Sequence, residues 1–158
     1  MNMIILLDTG PLGLISNPSK KEEAVKCREW ITSLDKNFFS LYIPEISDYE
    51  VRRELIRCKK LEGLRRLDLL KDSENFTYVP ITTEVMLKAA ELWAWAHNTG
   101  QQTASAESLD ADVILSATAI VLARLGVSVI IATTNVNHLE RYTPAKHWKD
   151  AYFLTAQP

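Results

Sequence analysis

The chain has 158 residues, enough for one domain with its own core, and 47% of them are hydrophobic against 24% charged. A formal charge of −2 excludes a global basic field, so any hold on nucleic acid must come from a local basic patch or from metal ions that offset acidic side chains. The two cysteines, Cys27 and Cys58, lack zinc-ligand spacing; a disulfide stays open, with reduced packing thiols the expectation.

Met3–Leu7 is a continuous apolar run that stops at Asp8. Unbroken rather than alternating, it predicts a strand covered on both faces, as in a parallel sheet. It is too short for a signal-peptide core, and no stretch approaches membrane-spanning length, so a cytoplasmic protein without a membrane partner is expected. Thr9-Gly10-Pro11 then reads as a break. The spacing of Ala24, Cys27, Trp30, Ile31 and Leu34 predicts a helix over 20–34, capped by Ser19, with Glu22 and Glu23 at its positive end. A short strand at 41–43 is stopped by Pro44. A helix over 45–60 follows, turning Ile46, Tyr49, Leu55 and Ile56 inward, and another runs over 64–70 after Gly63. Residues 77–79 read as a strand, and 83–97 as a helix with Val85, Ala89, Leu92 and Ala96 inside. The polar stretch 98–109 reads as a loop. A helix over 110–125 carries Ile114, Ala117, Val121 and Leu125 and is stopped by Gly126. A second continuous strand, 127–132, runs into Thr133-Thr134-Asn135, and 148–154 reads as an edge strand. No repeat or Pro/Gly-rich linker interrupts, so 1–158 is expected to be one domain. The alternation predicts the α/β class, a three-layer fold on a mostly parallel sheet.

Ligands of an open parallel sheet bind at the carboxyl ends of its strands. Asp8 and Asn135 each stand where a strand finishes. Asp112 opens the helix that leads into the Asn135 strand, and Glu50 lies early on a helix that follows a strand. These residues are therefore expected to share a rim. Carboxylates held a few ångströms apart repel until a cation neutralises them. Only oxygen donors are on offer, and hard oxygen ligands favour Mg²⁺ or Mn²⁺, whose natural use in such a rim is phosphodiester hydrolysis. Each residue also has a plainer reading: an Asx-turn for Asp8, a favourable helix terminus for Asp112, an arginine pair for Glu50 or its rival Glu54, and a turn for Asn135.

Three segments resemble one family. Ile4-Ile5-Leu6-Leu7-Asp8-Thr9 is similar to the opening of PIN-domain nucleases, Asp112-Val113-Ile114-Leu115-Ser116-Ala117-Thr118-Ala119 to their helix motif, and Ile131-Ala132-Thr133-Thr134-Asn135-Val136-Asn137-His138-Leu139 to their final strand and turn. They arrive in family order, and many such relatives are VapC-like toxins of bacterial toxin–antitoxin pairs. The resemblance implies a metal-dependent ribonuclease for single-stranded RNA, with metal-binding or catalytic roles for Asp8, Glu50 and Asp112 and Asn135 at the fourth position. It also implies orienting hydroxyls at Thr9, Ser116 and Thr133, a homodimer, and an antitoxin bound in a groove near the site. The chain departs from the pattern in three places. Gly10 stands where Asn or Ser is common, Asn135 is a weaker ligand than aspartate, and His138 stands where several toxins carry an acid. Asp110 and Glu107 lie near enough in sequence to substitute, and His138 to contact phosphate or assist protonation. Arg52, Arg53 and Arg57 lead a local excess of positive charge suited to a phosphate backbone, with a solvated face of ion pairs as the plainer reading. Trp93 and Trp95 point different ways on their helix; at least one is expected to be semi-exposed, for a protein interface or a stacked base, and the other to join the core. A PIN-like module that binds RNA or protein without cutting is the alternative. A Rossmann cofactor domain is excluded, since no Gly-rich turn follows the first strand.

Overall fold

Five apolar residues without a breaker form β1 (Met3–Leu7), which takes the centre of the sheet. The computed structural model describes residues 2–101 and 105–155, apart from the side chains of 106, 107 and 155. After β1 the chain does not break: α1 (Thr9–Ser16) begins at once, with Asp8 as its N-cap. Pro11 sits in the first turn, where an N–H would have had no helical partner, so Thr9-Gly10-Pro11 starts a helix rather than ending a strand. Then come α2 (Glu22–Ser33), β2 (Phe39–Pro44), α3 (Glu45–Arg57), α4 (Leu61–Asp72) and β3 (Phe76–Val79). The second half adds α5 (Thr83–Asn98), α6 (Ala106–Ala123), β4 (Val129–Thr133), α7 (Val136–Leu139), β5 (Ala145–His147) and α8 (Tyr152–Thr155).

The strands lie in the order β3-β2-β1-β4-β5, and every pairing is parallel. Alternation along each strand divides the core in two. Ile5, Leu7, Ile130 and Ala132 face one side with Leu12, Trp30 and Leu67, while Ile4, Leu6, Val129 and Ile131 face the other with Leu115 and Ala119. With helices on both faces, the sheet is the middle of the expected three layers, and a strand wet on neither face needs no polar alternation. Leu67 is the large side chain by which α4 reaches this core, and it is fully buried. Leu67→Ala should cost about 2–4 kcal/mol and lower the melting temperature by roughly 5–15 °C. An unchanged melting curve by circular dichroism would mean that α4 is held elsewhere.

Several boundaries depart from the sequence reading. Ser19 Oγ accepts from Lys21 N–H and stands outside α2, whose N-cap is Lys21 with no side-chain bond. Tyr49 and Ile56 are exposed rather than inward, because α3 buries only the stripe through Ile46, Ser47, Asp48 and Val51. Gly63 lies inside α4, where a Cβ would stand 2.8 Å from Leu55 Cδ2; close helix approach, not interruption, is its role. Ser105 Oγ accepts from Ser108 N–H at 3.1 Å, so α6 starts inside the stretch read as a loop. Leu125 lies past the end of α6 and is exposed, while Gly126 takes φ +87° in the turn beyond it. The edge strand is 145–147, and the segment expected to form it turns into α8. Of the cysteines, Cys27 is packed and its thiol is pushed up to about 12 by burial, whereas Cys58 is exposed.

Candidate active site

The chain steps outward from β1 to β2 and β3, then crosses back to place β4 on the other side of β1. Such a reversal opens a crevice at the carboxyl ends of the strands, where Asp8 stands just past β1 and Thr133 ends the adjacent β4. Asp8 is clamped from both sides. Thr9 N–H donates to its Oδ1 at 2.7 Å, and Thr133 Oγ1 donates to its Oδ2 at 2.7 Å across 125 positions of sequence. The Thr133 hydroxyl is itself oriented by Asn135 N–H, which donates to it at 2.9 Å. Burial pushes the Asp8 carboxyl above its ordinary value, opposed by those two hydrogen bonds and by the charge of His138.

Thr9 joins a second acid to the first. Its Oγ1 donates to Glu50 Oε1 at 2.7 Å, while Arg53 stands 3.5 Å from Glu50 Oε2. Glu54 turns away to pair with Arg57 at 2.7 Å on exposed surface, which holds its carboxyl below the ordinary range. Glu50 is thus tied to the rim through Thr9, whereas Glu54 is turned to Arg57.

Asp112 reaches the same place from the second turn of α6, not from its first residue, so the helix terminus does not account for it. Its carboxyl is pushed up to about 7, by burial first, then by the charges of Asp8 and Glu50, with Arg141 opposing. Oδ2 is buried without a hydrogen-bond partner, and His138 Nδ1 stands 3.6 Å from it. Ser116, one turn on, is fully buried; its hydroxyl makes no hydrogen bond to Asp112.

The remaining candidates divide. Asn135 and Asp110 are exposed, and the Glu107 side chain lies outside the described residues. Arg52 is drawn down to the buried Asp48 (2.7 Å) and to Asp68 (2.9 Å), Arg57 is taken by Glu54, and Arg53 packs over the Tyr49 ring at 5.1 Å beside Glu50. A Cβ at Gly10 would meet Thr134 Oγ1 at 2.7 Å, so the residue next to Thr133 leaves no room for the Asn or Ser common there. Trp93 and Trp95 are both exposed, at 40% and 42%, and neither joins the core. Sequence reasoning missed Arg141, whose field reaches Asp112, and the buried Asp48, whose only signal was Arg52 four residues on. A groove of about 800 Å³ opens from the rim between α1 and the α3–α4 turn, past Thr9, Glu50, Leu55, Cys58 and Leu61.

The chemistry of these donors fits a hard divalent cation. Every candidate ligand offers oxygen, two of the carboxyls are pushed towards protonation, and Asp112 Oδ2 is a buried acceptor with nothing to accept from. The side chains are otherwise engaged, by Thr9, Thr133 and Arg53. Among the described residues, no three His, Cys, Asp or Glu side chains converge closely enough to hold one ion.

A family model described as PIN domain matches residues 5–135. Among solved structures, the chain is similar to VapBC2 from Rickettsia felis bound to a DNA fragment from its promoter, with a TM-score of 0.67 and 15% identity over 93% of this chain and 100% of that one. It is similar to VapBC-1 from nontypeable Haemophilus influenzae, with a TM-score of 0.65 and 18% identity over 94% and 100%. A third likeness is to VapC20 from Mycobacterium tuberculosis, a sarcin-ricin loop cleaving toxin, with a TM-score of 0.58 and 13% identity over 80% and 86%. At such identities the likeness is one of fold. No curated protein matches the chain.

Proposed function

Since this chain belongs to the PIN domain family, we propose that residues 1–158 act as one unit, a metal-dependent endoribonuclease that hydrolyses single-stranded RNA as the toxin of a toxin–antitoxin pair. The observation that carries the reading is the field of two distant acids on a third: Asp112 is pushed up to about 7 by burial first and then by the charges of Asp8 and Glu50. A carboxyl raised by acidic neighbours stores repulsion that a cation relieves.

Asp8, Glu50 and Asp112 would hold Mg²⁺ or Mn²⁺, with the Asn135 amide as a weaker fourth donor. Such an ion supplies charge neutralisation at a phosphoryl oxygen and an activated water. The chain's own residues do the positioning. Thr133 and the Thr9 N–H hold the Asp8 carboxylate in one orientation, and the Thr9 hydroxyl ties Glu50 to the same point. Arg52, Arg53 and Arg57 would each meet a phosphate only by exchanging a present carboxylate partner. His138, 3.6 Å from Asp112, would contact phosphate or assist protonation. An antitoxin segment would lie in the groove beside Thr9 and Glu50, and a homodimer belongs to the same reading.

Removing a group that orients a metal ligand typically costs 10–100-fold. Thr133→Val should therefore slow RNA cleavage by about 10–100-fold, with KM little changed, because Asp8 loses a clamp and Asn135 N–H its acceptor. The reading itself is tested by incubating the purified chain with single-stranded RNA and Mg²⁺, Mn²⁺ or a chelator. Cleavage with either metal, abolished by the chelator, is the expected result. A folded chain that binds RNA but leaves it intact with both metals would favour the second reading, a binding module. The lack of three converging ligands among the described residues supports that alternative.

A further inference from the structure

Beside the acidic rim, α5 and the turn after α7 enclose a second cleft of about 290 Å³, lined by Lys88, Glu91, Leu92, Trp95, Arg141 and Tyr142. Trp95 leaves 42% of its surface in water, although indole is among the side chains with most to gain from burial. Its ring meets that of Tyr142 at 71°, with centroids 5.7 Å apart, which fixes both in place. The Tyr142 hydroxyl is buried and has no hydrogen-bond partner, an arrangement that proteins rarely leave unexplained. Arg141 lies over the Tyr142 ring at 5.6 Å and donates to the carbonyls of Gln101 and Asn137. Among the described residues no carboxylate pairs with it, so its charge is available to an anion. The cleft also adjoins the chemistry: the charge of Arg141 bears on Asp112, and that of Asp112 on Tyr142.

We infer that this cleft is a base-binding subsite, in which one nucleobase of single-stranded RNA stacks on Trp95 while the adjoining phosphate meets Arg141. The inference rests on the nuclease reading above and adds to it a place for the nucleotide next to the one cut. A fixed aromatic ring beside a guanidinium that, among the described residues, has no carboxylate partner is the combination that single-stranded nucleic acid uses, since every base offers a π-face and every nucleotide a charge. A protein segment would have to bring an anion for Arg141 and a flat group for Trp95 at one spacing. The substrate already has both. Stacking of this kind tolerates any base, so the subsite contributes grip more than sequence choice.

The test compares two oligomers of equal length and charge, a single-stranded RNA decamer and its abasic ribose-phosphate counterpart, binding to chains that carry Asp8→Asn so that nothing is cut. Trp95→Leu should weaken the decamer about tenfold and leave the abasic oligomer unchanged, while Arg141→Gln weakens both. Trp95→Phe, which keeps a ring, should restore most of the affinity, and Trp93→Leu, on the same helix but outside the cleft, should have no effect. Equal binding of the decamer by the Trp95→Leu chain and its parent, or equal losses on both oligomers, overturns the subsite. Should Trp95→Leu fail to fold, Trp95→Gln against the same two oligomers carries the test: a loss confined to the decamer supports the subsite, and no loss or equal losses on both overturn it. The nuclease reading is assayed separately, by metal-dependent cleavage with the unsubstituted chain. RNA that is cut but indifferent to Trp95 removes the subsite alone, whereas a folded chain that neither binds nor cuts RNA removes both.

Discussion

Asp8→Asn is expected to reduce RNA cleavage by about a thousand-fold while leaving the fold intact. Partners that merely orient a metal ligand are worth 10–100-fold, and losing the ligand's own charge must cost more. The structural cost is small because asparagine can repeat what aspartate does locally. Its carbonyl oxygen still accepts from Thr9 N–H at the start of α1, and asparagine caps helices as well as aspartate. Its amide nitrogen faces Thr133 Oγ1, which can turn to accept instead of donate. Cleavage rates and thermal melting measured on one preparation separate the two effects. A variant that cuts RNA at the parent's rate removes Asp8 from the chemistry, and one that is inactive because it is unfolded shows a lost melting transition instead.

Asp112→Asn is expected to inactivate the protein by a similar factor and, in the absence of metal, to make it more stable. The sign follows from the direction of the shift. The Asp112 carboxyl ordinarily titrates at 3.8 but at about 7 in the fold, so the folded chain binds this proton more tightly than the unfolded one. Its ionisation therefore costs nothing below pH 3.8, costs progressively more as the pH rises towards 7, and stays at its full cost above that. An amide carries no such cost. Discounted for solvent screening, the gain at pH 8 is about 1–2 kcal/mol, or roughly 5 °C in melting temperature. At pH 4 the two chains should melt together. A variant less stable than its parent at pH 8 would mean that Asp112 is held by favourable contacts rather than against repulsion. Adding Mg²⁺ or Mn²⁺ should narrow the gap at pH 8, because the cation stabilises only the parent.

Some of this was readable from residue order alone. The two unbroken apolar runs became β1 and β4, neighbours at the centre of an all-parallel sheet, because a strand covered on both faces has no use for polar alternation. Element starts were less legible. Thr9-Gly10-Pro11 carries the composition of a turn, and only the Asp8 cap makes it a helix. Ser105 looks like loop chemistry until Ser108 N–H is seen to need it. The missed start of α6 gave Asp112 a helix-terminus explanation that it does not have. Ties between distant residues were legible only through the family resemblance, which implied orienting hydroxyls at Thr9, Ser116 and Thr133. The spacing alone links neither Thr133 to Asp8 nor Thr9 to Glu50, and Ser116 makes no bond to Asp112.

The central position of β1 has a consequence for synthesis. Its partner on one side, β4, is made more than a hundred residues later, and the Thr133 hydroxyl that steadies Asp8 comes with it. At translation speeds of about 5–20 residues per second, the acidic residue waits roughly 6–25 s for its hydroxyl. Through that interval the growing polypeptide has an open sheet edge and an Asp8 carboxyl without its second clamp, so the rim is completed only once β4 is made, a delay set by strand order alone.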